Sequence, residues 1–209
     1  MAIPVLISIE GLDGTGKSVQ FKLLVDWLKQ NGYIVTSCVE PGGTTLGQKV
    51  RELLLHGPVE AMSAEAEMFL FMASRAELFN QVIIPAFNRG EIVVTDRSVL
   101  STVVYQGHAG NVAINKVVAA GKIATRGISP NLTLVLDAPE SVTSARRSAK
   151  ADRIERKGEA FNRTCRTGFL IEAKNNSHSI KVVDAVPPIA VVHDVIVEHV
   201  KKYLASIGR

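Results

Sequence analysis

The sequence predicts an α/β fold in which a five-stranded parallel sheet is covered by helices on both faces. Short apolar, β-branched runs alternate with helical patterns, and no internal repeat, low-complexity tract or flexible linker interrupts them. The length of 209 residues suits one domain, so residues 1–209 are expected to form a single three-layer unit. In such sheets, ligands bind outside the carboxyl ends of the strands.

The strands and helices follow from the apolar periodicity and from the positions of glycine and proline. Gly32 is expected to end the first helix in the left-handed conformation, and Pro85 is expected to kink the third. An aspartate follows each of the last three strands. The predicted strands are 5–10, 34–38, 92–95, 132–136 and 180–183, and the predicted helices are 17–31, 46–56 and 63–88.

The composition excludes several classes of protein. Hydrophobic residues make up 46% of the chain and charged residues 21%, which is typical of folded globular proteins. No apolar stretch reaches the roughly 18 to 20 residues that span a bilayer, and the apolar run 3–9 is expected to be a buried strand rather than a signal peptide. Cys38 and Cys165 lack a disulfide or zinc-site spacing, which predicts a reducing cytoplasm. The net charge of +4 is compatible with an anionic ligand without requiring one.

A glycine-rich loop connects the first predicted strand to the first predicted helix. It satisfies the pattern G-x-x-x-x-G-K-[ST], in which backbone N–H groups and the positive end of the helix bind phosphate. The pattern predicts that Lys17 reaches the β- and γ-phosphates of ATP and that Ser18 binds Mg²⁺. A P-loop NTPase fold with ATP and Mg²⁺ as cofactors is therefore expected. The loop residues expected to bind ATP are Gly11, Asp13, Gly14, Thr15, Gly16, Lys17 and Ser18.

The loop alone does not define the reaction, because kinases, GTPases and ATPases share it. The guanine-binding pattern N-K-x-D is absent, since Asn115-Lys116 is followed by Val117-Val118. A kinase and a nucleic-acid-dependent ATPase both stay open at this point.

Several further segments occur together with the loop. They are Glu40-Pro41-Gly42-Gly43-Thr44, Phe71-Met72-Ala73-Ser74-Arg75, Asp96-Arg97, Tyr105-Gln106-Gly107 and Asp152-Arg153-Ile154-Glu155. In this order and spacing they resemble the thymidylate kinase family, and the resemblance extends to about Asp184. It implies transfer of the γ-phosphoryl group of ATP to dTMP by a homodimer that binds neither nucleic acid nor membrane. Another deoxynucleotide, such as dUMP, stays open as the acceptor.

The resemblance implies how the phosphates and the metal are held. Arg97 matches the arginine that binds the acceptor phosphate, and Asp96 matches the carboxylate that places the metal together with Ser18. Asp13 matches a carboxylate near the acceptor sugar or its metal. Arg51, on the following helix, is a further candidate for the acceptor phosphate.

The resemblance also implies how the base and sugar are recognised. Phe71 would stack on the base, and Arg75, four residues later on the same helix face, would donate to a carbonyl oxygen of thymine. Tyr105 would pack beneath the sugar and disfavour a ribose 2′-hydroxyl, while Thr102 would face the base. The remaining predicted acceptor residues are Glu40, Pro41 and Gln106.

A basic segment at 146–158 is too polar for the core and is expected to close over ATP as a lid. Because Gly14 leaves no arginine in the phosphate loop, the chain resembles the bacterial type of the family, whose lid supplies the arginine. Arg153 is the expected catalytic arginine, and Arg156 is a second one that would bind ATP. A solvated helical face is the alternative, whereas a nucleic-acid surface would need aromatic residues among the basic ones. The predicted catalytic residues are Lys17, Asp96, Arg97 and Arg153.

Overall fold

The computed structural model describes residues 3–56, 62–146 and 153–209. In these ranges the strands are β1 (Val5–Gly11), β2 (Val35–Val39), β3 (Ile92–Asp96), β4 (Leu132–Asp137) and β5 (Ile180–Asp184). They form one parallel sheet in the order β2-β3-β1-β4-β5. The predicted five-stranded parallel sheet is therefore confirmed.

Helices cover both faces of this sheet, which confirms the predicted three layers. Two π-helical turns, Phe79–Ile83 and Val103–His108, and a 3-10 turn, Glu155–Lys157, interrupt or precede the α-helices. Among the described residues the α-helices are α1 (Lys17–Gln30), α2 (Thr45–His56), α3 (Ala64–Leu78), α4 (Ile84–Asn88), α5 (Val99–Thr102), α6 (Ile114–Ala124), α7 (Glu140–Arg146), α8 (Glu159–Asn175) and α9 (Ile189–Ser206).

The core explains why the central strands are apolar at almost every position. Ile7 of β1 belongs to a buried cluster with Leu24 of α1 and Ile196 of α9 on one face of the sheet. Its neighbour Leu6 belongs to a second cluster, with Phe79, on the other face. A strand that is buried on both faces has a continuous apolar sequence instead of an alternating one.

The predicted helix 63–88 is helical as expected but is not a single α-helix. The π-helical turn Phe79–Ile83 separates α3 from α4 directly before Pro85. Proline donates no backbone hydrogen bond and its ring clashes with the carbonyl one turn earlier, so the wider turn accommodates it. The kink expected at Pro85 thus takes the form of a π-helical turn. Gly32 has a φ of 84°, which confirms the predicted left-handed residue after α1.

The carboxyl ends of the strands bring polar residues to one edge of the sheet. Asp96, Asp137 and Asp184 are the last residues of β3, β4 and β5, whereas the sequence placed each just beyond its strand. Gly11 ends β1 at the same edge because the strands are parallel. Of the helices described, none is both long and apolar enough to cross a membrane.

Candidate active site

The phosphate loop folds as its sequence requires. Gly11 and Gly14 have φ values of 132° and 89°, and a Cβ on either would lie 2.3 Å from a backbone oxygen. Only glycine fits such positions. The Thr15 hydroxyl closes the turn by donating to the carbonyl oxygen of Leu12 at 2.7 Å. Helix α1 begins at Lys17, directly after the loop, so its free N–H groups and positive dipole end face the loop.

Lys17 is buried and bonded to the loop itself. Its Nζ donates to the Leu12 carbonyl oxygen at 2.8 Å and to Asp13 Oδ1 at 3.0 Å. Burial and the nearby positive charge of Arg97 lower the pKa of Lys17. The charges of Asp13 and Asp96 act in the opposite direction, and an entering phosphate would add further negative charge beside the ammonium.

Ser18 and Asp96 present oxygen atoms beside the loop. The Ser18 hydroxyl lies 3.4 Å from Asp96 Oδ2, which joins the start of α1 to the end of β3. A hydroxyl and a carboxylate are the hard oxygen donors that Mg²⁺ prefers, so these residues fit the expected ion. In the described ranges, no group of three or more His, Cys, Asp or Glu residues could hold a metal. Water and the phosphate oxygens of a bound nucleotide are the other donors that Mg²⁺ usually takes in sites of this kind.

A cleft, named here the nucleotide cleft, surrounds the loop. Arg146 at the end of α7 forms part of its wall, where its Nη1 donates to the carbonyl oxygen of Ala185 at 2.8 Å. The segment 185–189 after β5 forms another part, which the sequence did not identify because it contains no charged residue. The nucleotide cleft is lined by residues 13–20, Arg146, residues 185–189 and Val192.

A second cavity, named here the acceptor pocket, opens next to the loop. Asp13 lines both this pocket and the nucleotide cleft, so the two cavities are neighbours that share this residue. Three lining residues were not predicted as site residues: Leu55 and Ser101 belong to no motif, and Ile154 belongs to a motif segment in which only its neighbour Arg153 was given a role. The predicted residues that line the acceptor pocket are Asp13, Glu40, Pro41, Arg51, Phe71, Arg97, Thr102, Tyr105 and Gln106.

Arg97 lines the acceptor pocket and adopts a left-handed conformation, with a φ of 73°. Its Nη2 donates to Asp13 Oδ1 at 2.7 Å, and its Nη1 donates to Ser101 Oγ at 3.0 Å. Burial opposes ionisation of Asp13, but the charges of Lys17 and Arg97 outweigh it and hold the pKa of this carboxyl well below its usual range. Two cations thus converge on one carboxylate oxygen.

Arg75 lies behind the wall of the acceptor pocket rather than in its lining. Its guanidinium is 1% exposed and donates to Glu40 Oε2 at 2.6 Å, Thr102 Oγ1 at 3.1 Å and the Ser98 carbonyl oxygen at 3.0 Å. These bonds hold two lining residues, Glu40 and Thr102, in place. The expected contact of Arg75 with the base stays a prediction.

The aromatic residues of the acceptor pocket come from different elements. Phe71 belongs to α3, whereas Tyr105 belongs to the π-helical turn Val103–His108. The Tyr105 ring packs against Phe161 and Phe169 at centroid distances of 6.1 and 6.2 Å. Its hydroxyl is buried, and the guanidinium carbon of Arg97 lies 5.3 Å from the ring centroid, so the phenol and this cation form one wall of the acceptor pocket.

The lid prediction falls partly on residues 147–152, which lie outside the described residues. Arg153 donates through Nη1 to Glu67 Oε1 at 2.7 Å and through Nε to the Leu54 carbonyl oxygen at 2.8 Å. Lys157 also binds Glu67, at 2.8 and 2.9 Å. Neither Arg153 nor Arg156 lines the nucleotide cleft. The structure thus holds Arg153 against α2 and α3, and its predicted catalytic contact stays a prediction.

Together these features define the chain as a P-loop phosphotransferase with a separate pocket for an anionic acceptor. Comparison with known proteins identifies the family within this class. The family model described as thymidylate kinase matches residues 9–196. The chain belongs to the thymidylate kinase family and is a nucleoside monophosphate kinase.

Individual relatives agree with this assignment over nearly the whole chain. A thymidylate kinase of Caldanaerobacter subterraneus subsp. tengcongensis is 39% identical over 199 residues, which are 95% of each chain. A thymidylate kinase of Kosmotoga olearia is 37% identical over 204 residues, covering 97% of this chain and 98% of the relative. The crystal structure of thymidylate kinase from Ehrlichia chaffeensis superposes with a TM-score of 0.77 at 27% identity, covering 94% of this chain and 98% of that one.

Proposed function

We propose that this protein transfers the γ-phosphoryl group of ATP to the 5′-phosphate of dTMP, giving ADP and dTDP. One observation carries the proposal: Asp13 Oδ1 accepts hydrogen bonds from both Lys17 of the nucleotide cleft and Arg97 of the acceptor pocket. Two cations from two cavities therefore meet where a donor and an acceptor phosphate would approach each other.

The residues act by alignment and charge neutralisation. Lys17 and the loop N–H groups bind the β- and γ-phosphates, and Arg97 binds the acceptor phosphate through charge-assisted hydrogen bonds. Ser18 and Asp96 would hold Mg²⁺, which neutralises phosphate charge when bound. The acceptor is already an ionised phosphate, so no strong general base is needed. Transfer proceeds in line, without a covalent enzyme intermediate.

The proposed selectivity depends on the acceptor pocket. Phe71 stacks on the base, and the Tyr105 hydroxyl lies at the sugar, where it disfavours a ribose 2′-hydroxyl. Thr102 and Gln106 line the same pocket and offer polar groups to the base.

The proposed assembly is a homodimer. Apolar side chains are exposed on three helices that pack side by side, α2, α3 and α6: Phe69 is 63% exposed and Ile123 81%. Leu46 and Leu53, seven residues apart on α2, are exposed as well. Light scattering after size exclusion measures the mass directly. The proposed compartment is the cytoplasm, because Cys38 and Cys165 are both buried free thiols.

A coupled ADP-release assay across the common nucleoside monophosphates tests the function. We expect dTMP to give the highest kcat/KM, with dUMP the nearest competitor because it differs by one methyl group. Comparable or higher kcat/KM for dGMP or dCMP would contradict the choice of acceptor. Nucleic-acid stimulation of phosphate release without any phosphorylated monophosphate would contradict the kinase assignment.

A further inference from the structure

Glu10 is a buried carboxylate that lines neither cavity but is hydrogen-bonded to Ser101 of the acceptor pocket. It is fully buried at the end of β1, one residue before the loop glycine Gly11. Its Oε1 accepts the backbone N–H of Ser98 at 2.7 Å, and its Oε2 accepts the hydroxyl of Ser101 at 2.5 Å. Both partners follow Arg97 in the chain, so Glu10 connects the strand before the loop to the segment that presents the acceptor-binding arginine.

The contact with Ser101 fixes the direction of a hydrogen bond to Arg97. A serine hydroxyl carries one proton and two lone pairs. Because the proton is donated to Glu10, a lone pair faces Arg97 Nη1, which donates to Ser101 Oγ at 3.0 Å. Without the Glu10 acceptor, the hydroxyl proton could turn toward the guanidinium, which has only donors. The orientation of Arg97 thus depends on a carboxylate that it does not contact.

The contact with Ser98 holds the backbone of the same arginine. Arg97 has a φ of 73°, a conformation that residues other than glycine seldom adopt without support. Its own N–H donates to the Ile9 carbonyl oxygen at 3.0 Å, and the next N–H, that of Ser98, donates to Glu10. Two consecutive N–H groups are therefore fixed by β1, one through its backbone and one through its side chain.

The burial of Glu10 carries an electrostatic penalty. Burial raises the pKa of Glu10 to about 7, and the charge of Glu40 adds to the rise. Hydrogen bonds from Ser101 and Ser98 and the charge of Arg97 act in the opposite direction but do not cancel it. An apolar residue would fill this place without that penalty. A specific role for the carboxylate accounts for it better than packing does.

We propose that Glu10 is a positioning residue that orients Arg97 toward the acceptor phosphate, acting through the Ser101 hydroxyl and the Ser98 amide. The inference rests on the proposed function, since it takes Arg97 to bind the phosphate of dTMP. It concerns the acceptor side, because Glu10 accepts hydrogen bonds from Ser98 and Ser101, which follow Arg97 in the chain and do not line the nucleotide cleft.

The test compares KM for dTMP with KM for ATP in purified Glu10→Gln and Ser101→Ala variants, with Arg97→Ala as the reference. Glu10→Gln and Ser101→Ala should each raise KM for dTMP roughly 5- to 20-fold. Arg97→Ala should raise this KM further, because it removes the charge-assisted contact with the phosphate completely. KM for ATP should stay within about twofold in both. In the double variant Glu10→Gln/Ser101→Ala, the increase should be clearly smaller than the product of the single increases, because both changes interrupt one connection.

Several outcomes would overturn the proposal. Glu10 would be only a structural residue if KM rose equally for both substrates, or if Tm fell while both KM values stayed unchanged. The same conclusion would follow if the effects of the two substitutions multiplied fully in the double variant. If Glu10→Gln does not fold, Ser101→Ala decides, because it keeps the bond between Glu10 and Ser98 and removes the connection to Arg97. An unchanged KM for dTMP in that variant contradicts the inference. A parent protein that phosphorylates no dTMP would instead contradict the proposed function.

Discussion

Replacement of Glu67 by glutamine tests how firmly the segment after residue 152 is held to the body of the protein. Glu67 is fully buried on α3. Its Oε1 accepts from Arg153 and Lys157 at 2.7 and 2.8 Å, and its Oε2 accepts from Lys157 and Gln106 at 2.9 and 3.0 Å. Glutamine keeps the shape but removes the charge, so two cations would face a neutral amide whose NH₂ group is itself a donor.

The magnitude follows from the burial of the partners. Removal of one member of a buried ion pair costs about 3–5 kcal/mol. The side chains of Arg153 and Lys157 are 16% and 26% exposed, so water compensates part of the loss. The lower figure, about 3 kcal/mol, is therefore expected. A domain of this size loses about 2–4 °C in Tm per kcal/mol, which gives a fall of roughly 6–12 °C.

Scanning calorimetry of the parent, Glu67→Gln and Glu65→Gln measures this difference. Glu65→Gln is the matched control, because it makes the same chemical change on the same helix at an exposed position. Its Tm should stay within about 2 °C of the parent. A Glu67→Gln protein that unfolds at the same temperature as this control would refute the reasoning.

The same carboxylate gives the stability difference a pH dependence. Burial raises the pKa of Glu67, but hydrogen bonds from Lys157, Gln106 and Arg153 outweigh it and lower the pKa below its ordinary value of 4.5. A carboxyl with a lowered pKa in the folded state stabilises the fold fully above its unfolded-state pKa, and this contribution disappears as pH falls through the folded-state value. The Tm difference between parent and Glu67→Gln should therefore be complete above pH 4.5 and shrink below it.

Two further predictions concern cations of the site. Lys17→Ala should remove most turnover, because the ammonium is the loop's only side-chain cation at the β- and γ-phosphates. The control is Lys22→Ala, which removes an exposed lysine of α1. A near-normal kcat for Lys17→Ala would show that the loop is not catalytic. The lid hypothesis predicts that Arg153→Ala lowers kcat at least about tenfold with little change in ATP affinity. Anchoring to Glu67 alone predicts a lower Tm and an unchanged kcat, so measurement of kcat and Tm on this one variant separates the two roles.

The site residues that could be predicted from the sequence are those whose positions are specified by their immediate neighbours in the chain. The phosphate loop is specified by consecutive residues, and Asp96-Arg97 follows a strand whose end must lie beside that loop in a parallel sheet. Their placement needs only the fold class and the motif. The lining residues Leu55 and Ser101 could not be predicted in this way, because nothing in their types or spacing distinguishes them from other residues. Ile154 lies in a motif segment, but an apolar side chain beside Arg153 gave no sign that it would reach the pocket.

The contacts that support the site depend on pairings between distant parts of the chain. Arg75 reaches Glu40 across 35 positions, and Lys157 reaches Glu67 across 90. Sequence periodicity indicates which face of a helix is apolar, but it does not indicate which charged groups become neighbours after folding. This is why Glu67, the partner of Arg153 and Lys157, was not among the predicted site residues, whereas Arg153 was.

Because Val103–His108 forms a π-helical turn, the shape of the acceptor pocket depends on the number of residues in this segment as well as on their types. A π-helical turn contains one more residue than the α-helical turn that could replace it. Deletion of a single residue between Thr102 and Tyr105 would convert this wider turn to α-helical spacing and change the positions of Tyr105 and Gln106 relative to Thr102. The phenol and the amide would then be displaced within the acceptor pocket although every side chain of the pocket was still encoded. An alignment of relatives that opens or closes a gap here therefore signals a changed pocket even where the residue types agree.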